Sequence, residues 1–402
     1  MKQKKLLLLG GLRYLLPVIE AAHKLGHYVI TCDYIPDNIA HKYSDEYRNV
    51  SIVDKNAVLK LAQELEIDGI MSFAVDPGVV TAAYVAEKMG LPTPGPYKSV
   101  EILQNKGLFR KFLTENGFTV PTAKDYTDIK TALNDTARFH FPVIVKPTDS
   151  AGSKGVTKID RIDELESGIE YAISHSLSKS FIIEDYIEKK GFSSDTDSFV
   201  VDGQFKFISF SSQRFDDKAS NPYTPAAYSW PSSLSPEHEK ELHCELQRLM
   251  TLLEMKTSIY NIEVREGRDG KAYIMEVSPR GGGNRLAEVL RYAAGVDLIT
   301  NAVRAAVGDE VIDVEQKQYN GCWAEIILHS DKDGIFKSLR IDPALRTNVI
   351  EIDLWVNDGD PVSAFNGAND AIGTLIMQFD TQDDLAAKLG NQQDWLNIIV
   401  QK

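Results

Sequence analysis

Cysteine is scarce in this chain: Cys32, Cys244 and Cys322 are the three found in 402 residues. Their number is odd and their spacing wide, so neither a disulfide framework nor a zinc-ligand pattern can be built from them. Reduced thiols in a cytoplasmic protein are the expectation. Long apolar runs are missing too. After the basic start Met1-Lys2-Gln3-Lys4-Lys5, the run Leu6–Leu9 stops at Gly10-Gly11, too short for a signal-peptide core or a membrane span. Positive charge is in deficit: 44 Lys and Arg against 58 Asp and Glu leave a net charge of −14. That argues against a general nucleic-acid binder, which needs a cationic footprint. It leaves room for a local basic pocket holding a phosphorylated small molecule. The 8 histidines form no triad or zinc pattern. What remains is an ordinary soluble composition, 43% hydrophobic and 25% charged, long enough for two or three domains.

Strand and helix patterns alternate through the first hundred residues. Leu6–Leu9, His27–Cys32 and Gly69–Phe73 read as buried strands, and Leu15–Leu25, Ala57–Leu65 and Val79–Met89 as helices. This predicts a small Rossmann-like parallel sheet over residues 1–95. Pro92, Pro94, Gly95 and Pro96 mark its end. A central region, 96–310, contains the strands Phe141–Lys146 and Phe181–Ile183 in a smaller lobe of about 120–187, and a hairpin at Asp202-Gly203. Arg214 to Pro236, rich in Ser, Asn and Pro, reads as a mobile loop. From 311 to 402 the pattern is β-rich.

Three stretches carry chemistry. Tyr260–Arg265 and Ala272–Ser278 flank Asp269-Gly270, a two-residue hairpin signal. That turn pairs Glu263 with Glu276 and Asn261 with Ser278, and puts Ile262, Val264, Met275 and Val277 on the other face. Two facing carboxylates repel. A shared Mg²⁺ removes the repulsion, because it takes carboxylates together with phosphate oxygens. Two solvated carboxylates on an exposed face are the alternative. Second, Lys146-Pro147 ends a buried strand and opens the loop Asp149–Gly155, with small residues and Lys154, a composition suited to phosphate. A flexible surface turn is the bland reading. Third, Phe181–Ile187 is a buried strand ending in Glu184 and Asp185, which suits an adenine hinge or simply a strand end.

Lys106, Lys146, the 150–155 loop, the 184–187 segment, Glu263, Glu276 and Arg280 follow one another as in the ATP-grasp superfamily, and the resemblance covers roughly residues 1 to 380. The segment Glu276–Arg280 is most similar to formate-dependent glycinamide ribonucleotide transformylase. The next resemblances are to 5-(carboxyamino)imidazole ribonucleotide synthetase and to carbamoyl-phosphate-synthetase-like members. The resemblance implies an N-terminal α/β domain, a two-lobed α+β ATP-grasp centre and a β-rich C-terminal domain. It implies ATP and Mg²⁺ as cofactors, with Mn²⁺ as a substitute. Lys106 and Lys146 would hold phosphates under a lid of Ser150, Ala151, Gly152, Ser153, Lys154 and Gly155. Glu184, Asp185 and Ile187 would read adenine, and Glu263, Glu276 and Ser278 would face the metal. Arg280 and Lys146 are the implied catalytic residues. Many relatives carry a ribose-binding Glu where this chain has Gly191 and Phe192, which leaves Asp195 as its substitute. Gly281–Arg285 departs from the transformylase pattern, so the acceptor differs.

The loop Gly10–Arg13 lacks the GxGxxG spacing. Ligands of such sheets bind beyond the carboxyl ends of the strands. Gly11, Leu12, Asp33 and Asp76 are therefore expected substrate contacts, with a helix N-cap as the alternative role for Asp76; the resemblance adds Asn284 and Arg285, in the stretch that would line the acceptor site. The implied activity is an ATP-dependent ligase that activates a carboxylate as acyl phosphate and joins it to an amine. Its partners would be those small molecules, with no nucleic acid or membrane, and a homodimer as one assembly open to it. The alternatives are a purine-biosynthetic ribonucleotide ligase using Arg13, Arg285 and Arg291, a nucleotide-binding regulatory module without turnover, and an NAD-linked oxidoreductase.

Overall fold

The computed structural model describes residues 3–150, 152 and 154–401. Met1 and Lys2 of the basic start, and Ala151 and Ser153 of the expected lid, lie outside the described residues. The first four strands are β1 (Lys5–Leu9), β2 (Tyr28–Cys32), β3 (Glu46–Arg48) and β4 (Gly69–Ser72), parallel and ordered β3-β2-β1-β4. Helices α1 (Leu16–Lys24), α2 (Lys55–Leu65) and α3 (Asp76–Met89) connect and cover them. Leu6 to Leu9 are completely buried, which explains a strand apolar on both faces. Burying each such leucine contributes about 1.5–3 kcal/mol.

Helices α4 (Tyr97–Gln104) and α5 (Lys106–Glu115) lead into a small lobe. It comprises β5 (Ala123–Tyr126), α6 (Ile129–Asn134), β6 (Val143–Pro147), β7 (Thr157–Ile159), α7 (Leu165–Ser174) and β8 (Phe181–Asp185), with sheet order β5-β8-β6-β7. Next come β9 (Ser194–Val201), β10 (Gln204–Phe207), β11 (Ser212–Phe215), β12 (Pro225–Trp230), α8 (Pro236–Leu252), β13 (Ser258–Glu266) and β14 (Ala272–Ser278). Strands β10-β9-β13-β14 form one antiparallel sheet. Helices α9 (Leu286–Ala294) and α10 (Leu298–Val307) pack beside it.

The remaining elements are β15 (Cys322–Leu328), β16 (Gly334–Ile341), β17 (Val349–Leu354), β18 (Pro361–Val362), β19 (Gly373–Phe379), α11 (Gln382–Gly390) and β20 (Leu396–Gln401). They build sheets β11-β12-β15-β19-β17 and β18-β16-β20. The expected loop over 214–236 is corrected here. Its first two residues end β11 and Pro225–Trp230 form β12, which pairs with β15, while 216–224 and 231–235 are irregular connections. Its Ser, Asn and Pro residues hide Ala226, Ala227, Tyr228 and Trp230, all buried. The region expected to be central thus lends two strands to the sheet of the C-terminal region.

Candidate active site

The sheet β10-β9-β13-β14 turns a polar face inward. Across β9, β13 and β14 the register sets Asp195, Glu263 and Glu276 in one row and Asp197, Asn261 and Ser278 in the next. Glu263 does face Glu276, although the turn is not the expected one. Gly267 N–H donates to the Lys271 carbonyl at 2.9 Å, so the loop is the three residues Arg268-Asp269-Gly270. Gly270, at φ +78°, supplies the left-handed position that such a loop requires. A register shift between Glu263 and Val264 leaves Met275 unpaired, and the two one-residue differences cancel at Glu263. Ile274, not Met275, therefore joins Ile262, Val264 and Val277 in the buried face.

Two helices bring cations to this row. Asn105 caps α5 by accepting from Leu108 N–H at 3.0 Å, which places Lys106 in the first turn. Lys106 Nζ donates to the Ser150 carbonyl at 3.0 Å and lies 3.4 Å from the Glu276 carboxylate. One turn on, Arg110 is buried. Its Nε donates to Glu184 at 2.7 Å and its Nη1 to the Met275 carbonyl at 3.0 Å, which ties α5 to the irregular step of β14. Lys146 Nζ donates to the other Glu184 oxygen at 2.7 Å. Arg110 was not foreseen. The signal was present, because residues four apart share a helix face, and Lys106 and Arg110 do.

The Glu184 carboxylate is buried between Arg110 and Lys146, so any contact of this strand end with adenine would come from the backbone. Burial pushes its pKa up, but the two cations outweigh that and hold it at about 2. Lys146 is pushed down by its own burial, with Glu184 acting against that. Asp185 accepts from the His140 backbone N–H at 2.9 Å, and Ile187 is half-buried just beyond the strand. Of the lid, Ser150 is half-buried, Gly152 and Lys154 are exposed, and Gly155 is packed against Pro147 and His175 at φ +75°.

The glutamate pair is asymmetric. Burial leads in raising Glu263, with the Glu276 charge adding to it and Arg265, 3.5 Å away, opposing it. Burial also pushes Glu276 up, but Lys106 and Arg280 reverse the direction and lower it. Among the described residues no cluster of three or more His, Cys, Asp or Glu could hold a metal. Two carboxylates fit Mg²⁺, which commonly takes one or two together with phosphate oxygens and water. Ser278 is already engaged, accepting from Gln104 at 2.8 Å and donating to Asp76 at 3.2 Å.

Arg280 and Asp76 meet in a two-pronged ion pair at 2.8 and 2.9 Å. Asp76 opens α3 without capping it, so the alternative role is replaced by this pair. Ala74 N–H donates to the Gly281 carbonyl at 3.0 Å, which docks the loop after β4 onto the end of β14. Asp195 accepts from Asn261, Gln213 and Tyr228 at 2.9, 3.3 and 3.3 Å. Gly11 and Leu12 form a packed turn: a Cβ on Gly11 would lie 2.5 Å from Asn38 and 2.6 Å from His41. Asp33 is occupied by Tyr34 N–H and Asn38 Nδ2. Asn284 accepts from Tyr14 at 3.0 Å. Arg285 is held by Glu288 and Glu351 at 3.3 and 2.8 Å, so it is not the free phosphate ligand that a ribonucleotide pocket needs.

Residues 139–288 match the family model for the ATP-grasp domain. The chain carries an ATP-grasp domain. It is 25% identical to formate-dependent phosphoribosylglycinamide formyltransferase of Bacteroides thetaiotaomicron over 69% of this chain and 70% of that one. It is 24% identical to the carbamoyl phosphate synthase large chain of a Thermoanaerobacter species over 57% of this chain and 20% of that one. Among solved structures it superposes with L-amino acid ligase from Bacillus licheniformis at a TM-score of 0.80 and 19% identity, covering 100% of both chains. The chain spans 65% and 59% of the length of two further curated relatives. Among its described residues no helix is long and apolar enough to cross a membrane.

Proposed function

We propose that the protein is an ATP- and Mg²⁺-dependent ligase that activates a carboxylate and joins it to an amine. One observation carries the reading: the facing pair Glu263 and Glu276 stands beside Lys106, with Lys146 close enough to act on both carboxylates electrostatically. Carboxylates for a metal and lysines for phosphates in one cleft suit phosphoryl transfer, where positioning and charge neutralisation do the catalysis. ATP supplies the phosphoryl group and Mg²⁺ neutralises it. The phosphoryl group moves to a carboxylate oxygen and ADP leaves; the amine then attacks the acyl carbon and inorganic phosphate leaves.

Within the chain, Lys106 and Lys146 hold phosphate oxygens, and Glu263 and Glu276 hold the metal. Arg280, fixed by Asp76, stabilises negative charge on the acyl group. Glu184 and Arg110 keep Lys146 and β14 in place. The relatives' names support C–N bond formation as the reaction class, and the substrates are proposals. Measuring ADP release with Mg²⁺ across pools of amino acids, small carboxylates and phosphoribosyl amines tests it. Release that requires both a carboxylate and an amine is the expected result. Release that ignores every carboxylate would sink the ligase reading.

A further inference from the structure

Beyond the glutamate pair the chain buries acids that are under-neutralised. Asp197 is fully buried; its Oδ1 accepts from Gly282 N–H at 2.7 Å and Asn261 at 3.2 Å, and its Oδ2 has no partner. Glu325 is fully buried and neither of its oxygens has a partner. Glu288 is also buried, and the cation beside it, Arg285, is shared with Glu351 at 2.8 Å and Asp353 at 3.9 Å. A buried carboxylate without a partner is costly, and native structures keep few of them.

These groups converge. On β15, Glu325 lies on the face shared with Trp323 and Ile327, which packs towards α9 and its Glu288. It stands opposite Tyr228 of β12. Tyr228 donates to Asp195 at 3.3 Å and accepts from Asn284 at 3.4 Å, while Tyr14 donates to Asn284 at 3.0 Å. Three distant segments are thus held around one spot. Asn284 and Arg285 are both left-handed there, at φ +54° and +61°. Backbone strain of this kind persists where the surroundings enforce it, often at ligand sites.

We propose that these unpartnered buried acids receive an ammonium group, so that the acid activated by this enzyme is an amino-acid-like carboxylate. It rests on the ligase reading. The carboxylate end lies towards Arg280 and Glu276, and the ammonium lies between Asp197, Glu325 and the hydroxyls of Tyr14 and Tyr228. Burial pushes the pKa of Glu325 well up, with the Arg285 guanidinium opposing it. An ammonium supplies the donors that Asp197 Oδ2 and Glu325 lack.

The test uses the full chain with MgATP and hydroxylamine as the nucleophile, so that acyl phosphate is trapped as hydroxamate. The probes are L-norleucine, L-lysine, 6-aminohexanoate and hexanoate. At least one ammonium-bearing acid should give a kcat/KM ten-fold or more above hexanoate. Glu325→Gln, close in shape, should shrink that ratio at least ten-fold through KM, and Asp197→Asn should do the same if the first variant folds poorly. Equal use of hexanoate, or a ratio unmoved in both folded variants, overturns the proposal. So does failure of every ammonium-bearing acid to react while hexanoate does. Absence of hydroxamate with all four acids, together with ADP release indifferent to Glu276, removes the ligase reading and this one with it.

Discussion

Glu263 and Glu276 lie one row along the sheet from Asp197, yet the two rows are built on opposite electrostatic terms. At the first, Lys106, Arg265 and Arg280 answer the carboxylates, and the structure splits the pair into one raised and one lowered group. At the second, Asp197 is deeper and has an unpartnered oxygen; Glu325 of the neighbouring sheet has two, and beside it one arginine serves several acids. The first arrangement awaits a cation that comes with phosphate; the second has a deficit of positive charge inside the protein. A carboxylate's burial alone therefore does not tell its task. The count of cations facing it does.

The largest effect should come from breaking the first row. Glu276→Gln removes the metal-facing charge and the partner of Lys106. ADP release should fall at least about 100-fold, the scale of several kcal/mol of charge stabilisation in a transition state. The circular dichroism spectrum should be unchanged. Parent-level turnover would mean that the facing pair is an ordinary surface feature.

Lys146→Ala comes next. Calorimetry should show ATP binding weakened about 10- to 100-fold, the range for a lost charge-assisted hydrogen bond of about 1.5–3 kcal/mol. The variant also leaves Glu184 with Arg110 as its one strong cation, so a lowered melting temperature should accompany the loss. Unchanged affinity would remove Lys146 from the phosphate site.

How far the sequence reveals each row is itself instructive. The first was legible because facing residues in a hairpin follow from strand periodicity and a Gly turn. The wrong loop length was harmless only because the irregular step at Met275 offset it. Lys146 was legible as the lysine that ends a buried strand, and Lys106 only through the order of residues that the family resemblance supplied. The ion pairs of the Glu184 side chain were not legible, because its partners come from α5 and β6, which spacing cannot bring together. The buried acids beyond the glutamate pair were nearly invisible. Glu325 lies in an apolar strand, Cys322–Leu328, whose partner β12 is masked by Ser, Asn and Pro. Alternation says that Glu325 shares a face with Trp323 and Ile327; it does not say that the face is covered. Three of the four strands of the N-terminal parallel sheet were read almost to their ends, since buried parallel strands carry their own continuous apolar signal; the edge strand β3, Glu-Tyr-Arg and partly exposed, carries no such signal and was missed.

A smaller effect tests the joint between the two rows. Asp76→Asn loosens Arg280 without removing it. The apparent KM of the acid or the amine should rise several-fold while that of ATP stays near its parent value, as measured in steady-state kinetics. A change confined to the ATP term would assign Arg280 to the nucleotide instead.

The smallest effect is a change in the pH dependence of stability. Burial raises Asp197 to about 7, with Gly282 N–H and Arg280 opposing it. An unfolded aspartate titrates at about 3.9. Between those values the native chain keeps a proton that the unfolded chain has released. The stability this group contributes is therefore complete below about pH 4 and declines as pH rises to about 7. Glu184 has the opposite sign: its contribution is present above the unfolded range and is lost as pH falls towards about 2. The two windows do not overlap, so urea denaturation at pH 5 and pH 7.5 reports the raised acids, opposed by His41, whose burial lowers its pKa. The parent should lose stability between those points, and Asp197→Asn should lose less, because the amide does not titrate. Part of the slope should survive in the variant, since Glu288 and Glu325 are raised by burial as well. Identical slopes in parent and variant would mean that Asp197 is ionised in the folded protein, and the contrast between the two rows would disappear.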